Sequence, residues 1–281
     1  MSASHETAAE TVPFSGISRM MASLESEVGF SLLHRGREGV TPTQECLRLL
    51  PYMRELVRQA EQCRQTADEV RGLLSGTIAI ATFSSVATHW LPNMISRSQA
   101  DYPHIGFELL QGDYPEIEQW VAEGRADFGF LRLPTRLDLD TRCLADDELL
   151  VVLPEEHPLT QLERIPAEAI CDMPFILLDK AGNRGRDIMQ VFENVGLVPQ
   201  IRFSTLDDYA VMSMVERGLG VSILPQLILR RIPYRVALRP LAQPAFRRIG
   251  IAFRHGGGLS PAASRFLAYL PYREAKSLSE N

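Results

Sequence analysis

The chain has 281 residues, of which 45% are hydrophobic and 23% charged. That composition supports about two folding units at ~150 residues each and excludes a disordered, collagenous or purely coiled-coil protein. Lys and Arg total 29 against 35 Asp and Glu, a net charge of −6, which does not advertise a nucleic-acid binder.

Residues 1–13 lack a basic stretch followed by an apolar one, and no apolar run approaches the ~20 residues that span a bilayer. No secretory leader and no membrane contact are therefore expected, and a cytoplasmic location is. Phe14, Ile17, Met21, Leu24 and Val28 recur at steps of three and four, which predicts a helix with one apolar face. Gly29 stops it, and Pro13 suits its first turn. Residues 30–40 read as two short strands around a turn in which Gly36 and Gly39 permit the needed backbone angles. Thr41 reads as the cap of the next helix, with Pro42 at its first position and Gln44 completing a capping box.

That helix is long. Leu47, Leu50, Met53, Val57, Ala60, Cys63, Ala67, Val70 and Leu74 recur at a mean step of about 3.4, near the 3.5 of a coiled coil. The outer face, from Arg54 to Glu69, is charged. A seam this narrow predicts a partner helix and hence a dimer. Pro51 should bend the first part, and Gly72 and Ser75-Gly76 mark the end and a hinge.

From Thr77 strands and helices alternate. Strands are predicted at 77–83, 105–111, 126–133 and 148–154, with one helix opening at Ser84-Ser85 and running to about Gln99, and another over 115–124. A second set follows: strands at 174–178, 200–205 and 220–225, helices near 185–195 and from Asp207 to Arg217, and late strands at 235–241 and 247–253. Residues 260–270 form an amphipathic, N-capped helix. Such alternation predicts parallel sheets, and two sets predict two lobes with a cleft between them. Cys46, Cys63, Cys143 and Cys171 lack metal-type spacing and read as scattered buried thiols. The histidines are dispersed, and His89 and His157 have no acid/base partner in sequence. With no GxSxG, GxGxxG, P-loop or HExxH, neither enzymatic chemistry nor a metal or cofactor is expected.

The first 75 residues suggest a DNA-reading helix, a wing and a dimerising helix, followed by a sensor. Here a resemblance becomes specific. SGISRMMASLESEVGFSLLHRGREGVTPTQECLRLL resembles the recognition helix, wing and linker-helix start of LysR-type transcriptional regulators. Ile17-Ser18-Arg19, Leu24-Glu25, Gly29, Leu33, Arg35 and Thr41-Pro42-Thr43 stand where that pattern places them. So do Leu91-Pro92, Tyr102-Pro103, Gly124-Arg125-Ala126-Asp127, Glu156-His157-Pro158-Leu159, and Met214 to Gly220 with Ile223-Leu224-Pro225. The resemblance covers about residues 8–272. It implies an α/β chain: a partial winged helix-turn-helix over 1–45, a linker helix over 46–75, and a two-lobed effector domain like periplasmic binding proteins (type 2) over 76–281. Lobe I takes about 77–147 and 253–274, and lobe II about 148–252. Ahead of the recognition helix only Ser4 to Val12 remain, with His5 to Glu10 matching the end of the family's second helix, so its first helix is not seen. Residues 1–75 hold 8 Arg, no Lys and 10 Asp or Glu, which weakens nonspecific phosphate attraction.

The resemblance implies candidate DNA contacts at Ser15, Gly16, Ser18 and Arg19 on the recognition helix, and at Arg35 and Arg37 on the wing. A solvated helix face and an exposed turn are the alternatives. Ser84 and Ser85, after the first sensor strand, suit an anion site, helix capping, or both. Leu131 and Arg132 end another strand beside the predicted cleft, where an arginine after an apolar run suggests an acidic effector or a surface charge. Thr205 and Asp207 mirror the two serines in the second lobe, with capping by Asp207 as the alternative. Asp179, Asn183 and Arg184 are rim or plain loop. The implied partners are double-stranded operator DNA, a small-molecule effector and further copies in a homodimer or homotetramer, with RNA polymerase as a candidate. The competing readings are an effector-sequestering protein without DNA binding and the solute-binding protein of a transporter.

Overall fold

The computed structural model describes residues 14–36, 39–71, 74–179, 184–256 and 258–270. His5 to Glu10, Arg37, Gly72 and Asn183, and the side chains of Phe14 and Ser15, lie outside the described residues. The chain divides into two compact units between Val57 and Arg58, inside a single helix.

The first unit opens with α1 (Phe14–Val28). Gly29 ends it at φ +83°, its N–H donating to the Glu25 carbonyl at 2.9 Å. Strands β1 (Leu33–Gly36) and β2 (Gly39–Pro42) form an antiparallel hairpin. The Glu25 carboxylate ties helix to hairpin by accepting the Leu32 and Leu33 amides at 2.7 and 3.2 Å. Helix α2 (Gln44–Val70) follows and contains Pro51. Its cap is Thr43, not Thr41: the Thr43 hydroxyl accepts the Cys46 amide at 3.0 Å. Thr41 and Pro42 pair with His34 and Leu33, so the ladder holds them extended and the helix starts only where pairing ends. The described helix stops at Val70, short of Leu74. Along the expected seam Leu47, Val57, Ala60, Cys63, Ala67 and Val70 are exposed. Cys63 therefore departs from the expectation of buried thiols, whereas Cys46 and Cys171 are buried.

The second unit carries two lobes. Lobe I starts with β3 (Gly76–Thr82), α3 (Ser84–His89) and α4 (Leu91–Asp101). The single helix expected from Ser84 is broken at Trp90, which sits at φ −106°, ψ −52° between the two segments. Pro92, in the first turn of α4, supplies the break, because its ring displaces the carbonyl four residues back and removes an N–H. Then come β4 (Ile105–Gln111), α5 (Tyr114–Ala122) and β5 (Phe128–Leu133). Strand β6 (Asp140–Pro154) is far longer than its apolar run. Its first half is polar and half-exposed and only its second half is buried, so hydrophobicity marked the second half alone.

Lobe II holds α6 (Glu168–Cys171), β7 (Phe175–Leu178), α7 (Arg186–Glu193), β8 (Ile201–Thr205), α8 (Asp208–Glu216), β9 (Ser222–Pro225) and β10 (Val236–Pro240). The chain returns to lobe I through β11 (Phe246–Phe253) and ends its described part with α9 (Pro261–Phe266), N-capped by Ser260. The sheets are mixed rather than wholly parallel. Strand β3 runs parallel to β4 and β5, and β7 to β8. Strand β11 runs antiparallel to β5 and to the first half of β6, whose second half pairs antiparallel with β9 and β10. Strand β6 therefore belongs to both lobes, and β11 is the return crossing.

Each lobe has its own apolar core. One gathers Ile78, Ile80, Val86, Phe128, Phe130, Ile251 and Phe266. The other gathers Val151, Leu153, Phe175, Phe192, Val211 and Ile223. Gly220, just before β9, leaves no room for a side chain: a Cβ there would stand 2.2 Å from the Pro174 carbonyl oxygen. No helix among the described residues is long and apolar enough to cross a membrane.

Candidate functional site

The ends of β3, β5 and β7, the starts of α3 and α8, and the β6 and β11 crossings converge between the lobes. A small inner chamber of about 10 Å³ lies there, lined in part by Ser84, Ser85, Arg184, Asp187, Asp208 and Arg247. That is room for about one water. Beside it lies a groove of about 820 Å³, to which lobe I brings Gln111, Asp113 and Glu116 and lobe II Asp179, Asp207 and Tyr209, with Ser84, Arg184 and Asp208 lining both spaces.

Neither serine caps α3. Its cap is Phe83, without a side-chain hydrogen bond, which leaves both hydroxyls for other work. The Ser84 hydroxyl donates to the Asp208 carboxylate across the cleft at 3.1 Å. The Ser85 oxygen accepts from the Arg247 guanidinium at 2.7 Å. Arg247 also binds Asp147 at 2.7 Å and the Tyr114 hydroxyl at 3.2 Å, and lies 5.0 Å from the Phe83 ring centre. It is 6% exposed and Asp147 7%. Burial depresses the Arg247 pKa, but the Tyr114 and Asp147 partners outweigh it and leave it raised.

Arg132 reaches from the end of β5 to the first turn of α7, where its Nε lies 2.7 Å from both Asp187 oxygens. This fork contact and the Ser84–Asp208 bond both join the two lobes across the cleft. The Arg132–Asp187 contact, between two charged groups, contributes roughly 1.5–3 kcal/mol. Leu131 is fully buried in the lobe I core and lines neither space. Asp207 caps α8, accepting the Tyr209 amide at 2.8 Å, while the Thr205 hydroxyl oxygen accepts the Asp207 amide at 3.2 Å. Of the sensor candidates the fold thus gathers Ser84, Ser85, Arg132 and Asp207 around the cleft, with Thr205 supporting Asp207. The partners Asp147, Asp187, Asp208, Tyr114 and Arg247 were not legible as site residues. In the first unit Gly16 and Ser18 are half-buried on α1, and Arg19 on α1 and Arg35 on β1 are exposed.

Burial pushes the Asp208 carboxyl above the ordinary carboxylate range, more than the Ser84 hydrogen bond and the Arg184 and Arg247 charges pull it down. A carboxyl raised in the folded state keeps a proton that the unfolded chain has lost, so stability falls as pH rises from the unfolded value of about 3.9 through the folded one. Asp208→Asn, which keeps the acceptor oxygen and removes the charge, is expected to melt higher than the parent at pH 7. The gap should close toward pH 4. Thermal melts across that range check this, and an equal or lower melting point at pH 7 would overturn it.

Residues 71–273 match the family described as the LysR substrate binding domain. The probable HTH-type transcriptional regulator LrrA of Synechococcus elongatus is 32% identical over 257 residues, covering 91% of this chain and 86% of LrrA. HinK, a LysR family transcriptional regulator from Pseudomonas aeruginosa, matches in structure with a TM-score of 0.64 at 27% identity, over 90% of this chain and 86% of HinK. A full-length OxyR variant from Pseudomonas aeruginosa, at 22% identity, shares the fold with a TM-score of 0.74 over 90% of this chain and 83% of that one. The cleft thus sits inside a matched substrate-binding domain, and the relatives that align along nearly the whole chain regulate transcription: the chain belongs to the LysR-type transcriptional regulators.

Proposed function

We propose that α1 and the β1–β2 wing contact operator DNA through Ser15, Gly16, Ser18, Arg19, Arg35 and Arg37, and that a small-molecule effector occupies the cleft at Ser84, Ser85, Arg132, Thr205 and Asp207, with Leu131 packed behind Arg132. In this reading 1–45 is the DNA-binding head, 46–75 the linker and 76–281 the effector domain. Lobe I takes about 77–147 and 253–274, and lobe II about 148–252. The exposed apolar seam of α2 pairs two copies, and two such dimers make a tetramer. RNA polymerase is the further partner, the protein works in the cytoplasm, and it catalyses no reaction.

One observation carries the effector reading. Ser84 and Asp208, 124 positions apart, and Ser85 and Arg247, 162 apart, meet at one cleft, so a ligand there touches both lobes at once. A ligand with different affinity for two lobe arrangements shifts their populations, and the 72–76 segment hands that shift to α2.

A gel shift with the chain's own upstream DNA tests the regulator reading. The wild type is expected to retard the fragment, and Arg19→Ala to weaken binding about tenfold, within the ~1–3 kcal/mol that one base or phosphate contact supplies. If the wild type fails to retard it even at low salt, the sequestering alternative replaces this reading.

A further inference from the structure

We propose that the effector carries a single oxyanion head, of carboxylate or sulfate type, on a neutral body, and that Arg184 is the residue that holds that head. The proposal rests on the cleft being the effector site.

Among the described residues three guanidiniums stand at or beside the cleft, and two are already engaged. Arg132 binds both oxygens of Asp187, and Arg247 is shared among Asp147, Tyr114 and Ser85. Arg184 differs. Its ionic contact with Asp179 is 3.7 Å long, beyond hydrogen-bond range, and its Nε–H is buried with no acceptor among the described residues. A buried donor without an acceptor is rare and costly in native proteins. This one belongs to a side chain that lines both the inner chamber and the outer groove and is 22% exposed, so a ligand in the groove can meet the side chain.

The backbone fixes the arginine where it stands. Asp179, a non-glycine residue, is held at φ +56°, and its carboxylate accepts the Arg184 amide at 3.3 Å. A Cβ at Gly185 would lie 2.5 Å from the Leu178 carbonyl oxygen, so the turn behind Arg184 tolerates nothing larger than glycine. Strain of this kind persists where the surroundings over-determine it, and it concentrates at ligand sites.

The neighbours complete the chemistry. Ser85 accepts from Arg247, which leaves its own O–H to donate. Ser84 already donates, to Asp208. Burial moves the Asp208 carboxyl toward its neutral form, which lessens its repulsion of an incoming anion. Arg184 and the Ser85 hydroxyl are thus two donors lining the same inner chamber, and a planar guanidinium edge suits an oxyanion. The outer groove carries Asp113, Glu116, Asp179, Asp207 and Asp208 beside Arg184, and these carboxyls disfavour a second negative charge and limit the ligand to one anionic end, at Arg184.

The test is a thermal-melt titration of the full chain with sodium benzoate and with sodium sulfate, each against sodium chloride at equal ionic strength. At least one oxyanion is expected to raise the melting temperature saturably over chloride. A benzoate response identifies a planar carboxylate on an apolar body, and a sulfate response a compact tetrahedral head. Arg184→Gln should weaken the apparent dissociation constant at least tenfold while its ligand-free melting temperature stays near the parent's, and Arg184→Lys should recover part of the loss. No saturable response to either salt overturns the oxyanion assignment. A response lost in Ser84→Ala but unchanged in Arg184→Gln removes Arg184 and leaves the cleft as the effector site. A response unchanged in both variants removes the cleft itself.

Discussion

Arg247→Met is expected to lower the unfolding free energy of the effector unit by ~3–5 kcal/mol, the range for breaking one partner out of a buried ion pair. The cause is what remains behind. Among the described residues Asp147 keeps only the Leu227 amide, at 2.8 Å, for a carboxylate that is 7% exposed. Ser85 and Tyr114 lose their guanidinium contacts in the same step. The double variant Arg247→Met/Asp147→Leu removes both charges and should recover much of the loss, because a buried pair replaced by apolar groups of similar size is often neutral or better. Urea unfolding followed by circular dichroism at pH 7 reads both. A single-variant loss below about 1 kcal/mol would mean that Asp147 finds water or another donor, and the pair would not be the keystone of the crossing. Asp147 and Arg247 lie on the two strands that cross between the lobes, and Arg247 also touches Ser85. The same guanidinium therefore connects the effector cleft to the crossing, so its loss should also blunt any effector response.

That network was out of reach of sequence reasoning for a physical reason. Asp147 and Arg247 are 100 positions apart, and Arg247 and Ser85 are 162 apart. Within its own segment Arg247 reads as one half of an Arg-Arg pair at the edge of an apolar strand. Ser84 and Ser85 were legible because a strand-to-helix junction is a local pattern, and their position survived even though the two hydroxyls do not cap the helix. Arg132 was legible as a charge after an apolar run, but its partner Asp187, 55 positions on, was not. The local errors have the same character. Thr41 and Thr43 carry the same hydroxyl, and the pairing of β2 with β1 decides which is free to cap. The first half of β6 escaped because a half-exposed polar strand carries no hydrophobic signal. The order of elements and the two-lobed division follow from local periodicity and came through, whereas the contacts that make a site depend on tertiary meeting points.

Phe128→Ala is the second change with a large expected effect, a loss of ~3–5 kcal/mol. The ring is fully buried at the centre of lobe I, with the Phe130, Phe253 and Phe266 ring centres at 5.8, 6.4 and 6.3 Å. Truncation loses the transfer energy of the ring and leaves a void walled by stiff neighbours on β5, β11 and α9 that cannot collapse into it. The two apolar cores are separate clusters, so the loss should be local. Hydrogen exchange is expected to speed up at the amides of β3 and β5 and to stay slow at those of β7 and β9. Phe175→Ala, which removes the partner of Phe192 at 5.3 Å in lobe II, should reverse the pattern. If protection instead fell equally in both lobes for either variant, the shared β6 and β11 strands would have fused the lobes into one cooperative unit. These two substitutions therefore measure, without a ligand, how far the shared strands couple the stability of one lobe to that of the other.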